Sequence, residues 1–109
     1  EHIMAGLIDA VYKRGGTSRR AAVKEMKIGG KTGTAQVVSA KVTEKYDKNE
    51  IPEEYRDNAW FAGVFPAKEP KYVVVVLMEN GGSGGASAAP VGGQIMEKML
   101  SIGYVSPDK

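Results

Sequence analysis

Cysteine is absent from this chain of 109 residues, which excludes disulfide bonds and thiolate metal sites. The single histidine, His2, lies at the very start, where a solvated helix residue is expected rather than a ligand, since a metal site needs several ligands. No apolar run approaches the roughly 20 residues that cross a bilayer, and no signal peptide is visible. The sequence therefore predicts no metal and no cofactor, and we expect any membrane anchor to lie outside these residues.

Charge is too nearly balanced to indicate a nucleic-acid partner, because the formal net charge is only +2. Its distribution is uneven: residues 1–38 carry seven Lys or Arg and three acidic residues, whereas residues 39–109 carry eight and ten. The basic half contains Lys31. A solvated basic face is the simpler interpretation, and a field that attracts an anionic substrate is the alternative. The length suits one small domain or a piece of a larger one.

A first helix is predicted from apolar residues at helical spacing between Ile3 and Tyr12. One continuous apolar stripe indicates that this helix faces the core, and Gly15-Gly16 are expected to end it. Thr17 is then expected to cap a short turn whose basic residues are exposed.

Three strands are predicted, over residues 26–38, 59–65 and 71–78, and they form an antiparallel meander. Residues 39–58 lie between the first two strands, carry many charges and show no clean period. A loop of this length is typical of a functional or mobile segment, and a tolerated surface insertion is the alternative.

A glycine-rich stretch ends the third strand and leads to a final helix. This helix is predicted to start near Ala88 with Pro90 in its first turn, and Met96 and Met99 are ordinary packing residues on its apolar stripe. The tail from Gly103 is predicted to fray.

The third strand creates a packing requirement. Its run at residues 73–77 is apolar on both faces, so both faces must be covered. Two helices cover one face of a three-stranded sheet, and we therefore expect the chain to be incomplete or to have a partner. Trp60, in the second strand, is expected to belong to the core.

Residues 29–36, with the sequence GGKTGTAQ, combine a cation, two hydroxyls and three glycines, which is typical of a strand that binds an anion. Alternate side chains of a strand share a face, so Thr32 and Thr34 point the same way, and Lys31 points to the other face or leans round the edge. A phosphate loop is a poorer match. Glu25 occupies the position of its first glycine, and a strand follows instead of a helix.

Lys31-Thr32-Gly33 also matches the K-T-G element of the penicillin-recognising serine enzymes. The match continues in order through residues 15–17 (GGT), 30–36 (GKTGTAQ), 57–63 (DNAWFAG), 73–77 (VVVVL) and 79–85 (ENGGSGG). In that order and spacing the chain resembles the C-terminal part of a class B penicillin-binding protein transpeptidase domain, and it most resembles the elongation-type members.

The resemblance implies an α+β fold of the penicillin-binding protein transpeptidase and serine β-lactamase type. Residues 1–109 would be the C-terminal segment of that domain and would be incomplete alone. They would supply three strands of a five-stranded antiparallel sheet, flanked by N- and C-terminal helices. Residues 39–58 would form a charged loop beside the active-site cleft, and residues 103–109 a tail.

The resemblance also implies roles for residues of this strand. The backbone N–H of Thr34 would be one oxyanion donor, and the hydroxyls of Thr32 and Thr34 would bind the carboxylate of a peptide terminus or of a penicillin. Lys31 would supply positive charge and hold the serine of a Ser-x-Asn motif. Gly33 belongs to the same substrate-binding strand, and Gln36 would extend the substrate contact.

The implied activity is that of a peptidoglycan D,D-transpeptidase. Such an enzyme forms an acyl-serine intermediate from a stem peptide ending in D-Ala-D-Ala, and β-lactams acylate the same serine. The implied location is the extracytoplasmic, periplasmic face of the bacterial cell membrane. Membrane proteins of the elongation machinery are the implied partners.

The nucleophile of this reaction is missing from the expected place. The sequence contains no Ser-x-Asn, and its one Ser-x-x-Lys starts at Ser106, after the K-T-G element, with no residues left to build the helix that the pair requires. We interpret that match as coincidence. The chain alone is therefore expected to be catalytically silent and to need the upstream part of the same domain, which carries the catalytic serine.

Other functions remain open at the level of sequence. A serine β-lactamase or a D,D-carboxypeptidase would share the K-T-G element, although Gln36 and the glycine run at residues 81–85 favour the transpeptidase. A non-catalytic binding or scaffold module with an obligate partner would explain the missing serine without truncation.

Overall fold

Three antiparallel strands between two helices form the frame of this chain. The computed structural model describes residues 2–47 and 50–108. Its elements in order are helix α1 (His2–Tyr12), strand β1 (Gly29–Ala35), short helix α2 (Ala40–Thr43), strands β2 (Asn58–Phe65) and β3 (Tyr72–Met78), and helix α3 (Ala89–Ser101). Short turns of 3₁₀ helix (Arg19–Ala21, Glu53–Tyr55) and π-helix (Gly84–Ala88) lie between them. The predicted α+β meander with flanking helices is confirmed.

The sheet order is β1-β2-β3, so β2 is central. Thr34 of β1 pairs with Ala59 of β2, and Phe61 pairs with Val76 of β3. Every second residue of β2 from Ala59 to Phe65 is buried, which is the alternation expected of a strand with one covered face. Helix α3 packs against β2 and β3 on that face.

The ring of Phe61 is the centre of the core. A Cβ atom added to Gly30 of β1 or Gly63 of β2 would lie 2.8 Å or 2.9 Å from this ring, and one added to Gly92 of α3 would lie closer still. Glycines from three elements therefore make room for one aromatic side chain. Met96 is also fully buried, which confirms its predicted packing role.

The other face of the sheet is uncovered within the part of the chain that the structure describes. Val73 and Val75 are 66% and 60% exposed, and Leu77 is 48% exposed, so the expected uncovered face of the valine run is confirmed. The prediction that Trp60 belongs to the core was wrong here. Trp60 is 39% exposed because it alternates with buried Phe61 and points to the uncovered face.

Strand β1 is shorter than predicted, spanning Gly29–Ala35 instead of residues 26–38. The preceding backbone groups are used elsewhere. The N–H of Lys27 donates to the Asp108 carboxylate at 2.7 Å, and its carbonyl accepts from the N–H of Ala67 at 2.8 Å. Lys27 therefore contacts the C-terminal tail and the β2–β3 turn rather than the sheet.

Helix α1 lies against β1, with Val11 buried and Leu7 beside Gly29. Its end is held by the Tyr12 hydroxyl, which donates to the carbonyl of Met26 and accepts from the N–H of Ile28, both at 3.1 Å.

The expected Thr17 cap was wrong. The residue preceding the 3₁₀ turn is the buried Ser18, and it makes no side-chain cap bond, so this turn is held by burial and backbone hydrogen bonds.

The expectation that the C-terminal tail frays was also wrong. Val105 is buried, and the N–H of Asp108 donates to the carbonyl of Glu25 at 2.8 Å. Together with the Lys27 bond, this contact fastens the tail beside the entry to β1.

None of the described helices combines the length and apolar character that crossing a bilayer requires.

Candidate functional site

The K-T-G element occupies an open edge of the sheet. Among the residues that the structure describes, strand β1 pairs with β2 along one side only. Lys31, Gly33 and Thr34 are exposed, while Thr32 is half-buried. The Lys31 ammonium bends back to donate to the carbonyl of Thr32 at 2.6 Å. In this chain the cation therefore lies over its own strand, as a lysine that leans round the edge would.

Thr32 and Thr34 lie at alternate positions of β1, opposite Phe61 and Ala59 of the covered face. Gln36 follows the last residue of the strand. Thr34 and Gln36 line one surface groove of about 370 Å³, which we call the Thr34 groove. Its other lining residues are Thr43, Ile51, Tyr55, Arg56, Asp57, Gly82 and Ser83.

The segment predicted as a loop beside the site forms one wall of the Thr34 groove. This segment is partly ordered, because it contains α2 and the 3₁₀ turn at Glu53–Tyr55. The rings of Tyr46 and Tyr55 pack with their planes tilted by 53° and their centroids 6.3 Å apart, and the Arg56 guanidinium donates to the carbonyl of Ile51 at 3.1 Å. Residues 48 and 49, which belong to the same predicted loop, lie outside the described residues.

Asn80 joins this wall to the turn after β3. Its backbone N–H donates to the side-chain oxygen of Asn58, and its side-chain amide donates to the carbonyl of Arg56, both at 2.8 Å. A third bond of 2.8 Å runs from the N–H of Gly82 to the carbonyl of Asp57. Sequence reasoning placed a turn here but missed the two hydrogen bonds of Asn80, which we call the Asn80 clamp. The Asn80-Gly81 pair was a signal for it in the sequence, because Asn tolerates the left-handed backbone, and Asn80 adopts it with φ of 54°.

Gly84 and Gly85 bring the same turn against two other segments. A Cβ atom on Gly84 would lie 2.6 Å from the carbonyl oxygen of Trp60 and 2.7 Å from that of Gly33. One on Gly85 would lie 2.5 Å from the carbonyl oxygen of Thr17. The glycine pair thus connects the K-T-G strand to the turn that follows α1, with no space for a side chain.

Ser106, the start of the Ser-x-x-Lys match, lies far from the K-T-G element. It lines a cavity with Pro66 and Lys68, in the turn at the Phe65 end of β2. Thr34 pairs with Ala59 at the other end of that strand, about 20 Å away at the usual rise per residue. Ser106 also follows the end of α3 and is not helical. The structure thus does not bring this serine to the site.

An antiparallel meander that carries K-T-G on its edge strand and packs a C-terminal helix behind it defines the class of penicillin-recognising transpeptidase folds. A family model described as the penicillin binding protein transpeptidase domain matches residues 1–97. The chain belongs to this family.

Relatives among characterised proteins agree with the family that the model identifies. Peptidoglycan D,D-transpeptidase MrdA of Haemophilus influenzae is 40% identical over 97 residues, covering 88% of this chain and 15% of that protein. MrdA of Escherichia coli K12 is 32% identical over 96 residues, covering 87% and 14%. The chain therefore spans only about 15% of the length of the relatives it matches.

Solved structures show the same fold. Penicillin-binding protein 2 (PBP2) of Pseudomonas aeruginosa, solved in complex with WCK 5153, superposes with a TM-score of 0.69 at 32% identity, covering 97% of this chain and 20% of that one. PBP2 of Helicobacter pylori superposes at 0.73 with 24% identity, covering 94% and 16%. The resemblance drawn from the sequence is confirmed at the level of family and fold.

Proposed function

We propose that this chain is the K-T-G segment of a peptidoglycan D,D-transpeptidase. The observation that carries the proposal is the placement of residues 31–34 on an exposed, unpaired strand edge beside the Thr34 groove. An edge strand whose next position is vacant offers backbone donors and acceptors to an extended peptide. The naming of the relatives as D,D-transpeptidases supports the same reaction.

Each residue of the strand has a role in this proposal. The backbone N–H of Thr34 donates to the oxyanion that forms when a serine attacks the peptide carbonyl. The hydroxyls of Thr32 and Thr34 bind the substrate carboxylate through charge-assisted bonds, worth about 1.5 to 3 kcal/mol each. Lys31 adds positive charge and orients the serine of the Ser-x-Asn motif. Gln36 extends the contact along the groove.

The serine nucleophile and its lysine come from the upstream part of the same domain. The serine oxygen forms an ester with the penultimate D-alanine, the terminal D-alanine leaves as an amine, and an acceptor amine then displaces the serine. Val73, Val75 and Leu77 mark the face against which that upstream part packs, because burying this apolar surface stabilises the assembled domain.

The assembled protein is proposed to work at the periplasmic face of the bacterial cell membrane, together with elongation-machinery membrane proteins. The PBP2 of Helicobacter pylori has been solved as a complex with MreC, and this precedent supports partners of that kind.

Intact-mass spectrometry after incubation with a penicillin tests the proposal. The chain alone should gain no adduct, and a mixture with a polypeptide carrying the upstream part should gain one on the upstream piece only. Lys31→Ala should slow acylation in the mixture. Lys68→Ala is the matched control, because Lys68 is exposed in the turn at the opposite end of β2.

Four other results would overturn the proposal. An active-site adduct on this chain alone would place the nucleophile within it. A mixture that assembles but is never acylated would favour a non-catalytic module. Rapid turnover of the penicillin without a lasting adduct would favour a β-lactamase, and release of terminal D-alanine without transfer to an amine would favour a carboxypeptidase.

A further inference from the structure

A second groove lies next to the K-T-G strand and is lined by two arginines. It has a volume of about 570 Å³. We call it the arginine groove. Its lining residues are Gly16, Thr17, Arg19, Arg20, Ser83, Gly85 and Ala86. None of the lining side chains is acidic, so the two guanidinium groups give the groove a positive character.

The two guanidinium groups are not neutralised by the rest of the described chain. Within residues 2–47 and 50–108, Lys13 forms an ion pair with Asp9 at 3.9 Å, and neither Arg19 nor Arg20 has a carboxylate partner. One guanidinium nitrogen of Arg20 donates to the carbonyl of Ala86 at 3.4 Å. A guanidinium has five N–H donors, so most of this group's capacity is left for another acceptor.

The arginine groove has a fixed position relative to the Thr34 groove. Ser83 lines both grooves, which makes them neighbours across one residue. The adjoining glycines hold this turn close to both segments, since Gly84 is packed against Gly33 and Gly85 against Thr17. A ligand seated in the Thr34 groove therefore has the arginine groove as its neighbour across Ser83.

We propose that Arg19 and Arg20 bind a second carboxylate of the peptide substrate, distinct from the terminal carboxylate held by Thr32 and Thr34. The inference rests on the proposed transpeptidase function and names a substrate feature for it: a peptide with a free interior carboxylate. Planar guanidinium groups match carboxylates through paired N–H donors, and a groove of one sign concentrates such a group.

The test uses the full-length enzyme and two kinds of donor peptide. One peptide carries free interior carboxylates, and in the others each interior carboxylate is amidated in turn. The double variant Arg19→Gln and Arg20→Gln removes both charges but keeps hydrogen-bonding side chains. Arg14→Gln is the matched control, because Arg14 is an exposed arginine of the same basic segment that does not line the groove.

For the double variant we expect KM to rise about twofold to fivefold with the free peptide and kcat to stay unchanged, the size expected for exposed ion pairs. With one of the amidated peptides, the wild-type enzyme should already show the raised KM, because the carboxylate that the arginines bind is missing. The double variant should raise the KM for that peptide no further. Arg14→Gln should leave both constants unchanged. Raised salt should weaken binding of the free peptide more in the wild type than in the double variant.

A KM that does not respond to the double variant would overturn the inference, as would a rise that persists with every amidated peptide. Acylation by a penicillin that carries a single carboxylate distinguishes failure of the arginine inference from failure of the transpeptidase proposal. An unchanged acylation rate in the double variant shows an intact K-T-G site, whereas a wild-type enzyme that is never acylated would refute the transpeptidase proposal itself.

Discussion

Asn58 and Asn80 are joined by a hydrogen bond of 2.8 Å, from the backbone N–H of Asn80 to the side-chain oxygen of Asn58. Asn58 begins β2, and Asn80 lies two residues beyond the end of β3, so the bond closes the end of the sheet next to the K-T-G strand. The Asn80 amide then reaches the carbonyl of Arg56. One residue thus fixes a wall of the Thr34 groove through both its backbone and its side chain.

Two substitutions of Asn80 should separate the contribution of its side-chain hydrogen bond from that of its left-handed backbone. Asn80→Gly keeps the left-handed backbone, with φ of 54°, and loses the bond to Arg56. Asn80→Ala loses the bond and adds backbone strain. We expect the free energy of unfolding to fall by about 1 kcal/mol for glycine and about 2 kcal/mol for alanine, measured by denaturant titration. Equal losses would show that the left-handed conformation costs alanine nothing here.

Gly84→Ala should damage the site as well as the fold. The new Cβ atom would lie 2.6 Å from the carbonyl oxygen of Trp60 and 2.7 Å from that of Gly33, so the backbone of the K-T-G strand or of the turn must shift. We expect a loss of about 1 to 3 kcal/mol in stability and slower acylation by penicillin in the full-length protein. The first is checked by thermal unfolding and the second by the rate of adduct formation.

The control for that substitution is Gly6→Ala. Gly6 lies inside α1, and a Cβ atom there would meet nothing within 4 Å. Alanine is the better helix former, so stability should stay level or rise by about 0.5 to 1 kcal/mol. A loss at Gly6 as large as that at Gly84 would contradict the steric explanation.

The sequence predicted what depends on local pattern. The positions of β2 and β3 and the doubly apolar run in β3 are properties of neighbouring residues, and the predicted bounds of 59–65 and 71–78 were recovered nearly to the residue. Trp60 could not be assigned in the same way. Both faces of β2 are apolar, and which of them is covered depends on where α3 packs, far along the chain.

The errors at the two ends of the fold share one cause. The start of β1 and the order of the tail both depend on hydrogen bonds between segments distant in sequence, such as Lys27 with Asp108. The candidate site divides in the same way. The K-T-G residues were readable as a motif, but the Asn80 clamp and the arginine groove require segments that only the fold brings together.

Tyr12 should make stability sensitive to alkaline pH. Burial raises the pKa of its hydroxyl above the ordinary value of 10.0, although the hydrogen bond from the Ile28 N–H opposes this shift. Because the folded-state pKa is the higher one, the contribution is fully present below pH 10.0 and is lost as the pH rises through the folded pKa. The folded state holds the proton that the unfolded state releases.

Tyr12→Phe should remove this dependence. We expect it to lower the free energy of unfolding at neutral pH by about 1 to 2 kcal/mol, because the carbonyl of Met26 and the N–H of Ile28 lose their partner. Its difference from wild type should shrink as the pH rises above about 10. Tyr104→Phe, at an exposed tyrosine, is the control and should show a constant difference near zero. A difference in unfolding free energy between wild type and Tyr12→Phe that widens at high pH would contradict a raised pKa of Tyr12.

Ser106→Ala should leave acylation by penicillin unchanged. Ser106 is exposed, lies beyond the end of α3, and lines a cavity at the opposite end of β2 from the strand residue that pairs with Thr34. Its hydroxyl cannot reach a carbonyl bound at Thr34 from about 20 Å away. The rate of adduct formation in the full-length protein is the measurement, with Lys31→Ala as the variant that should be slow. Loss of the adduct in Ser106→Ala would mean that the match to Ser-x-x-Lys is the nucleophile, and that the tail rearranges to bring it to the K-T-G strand.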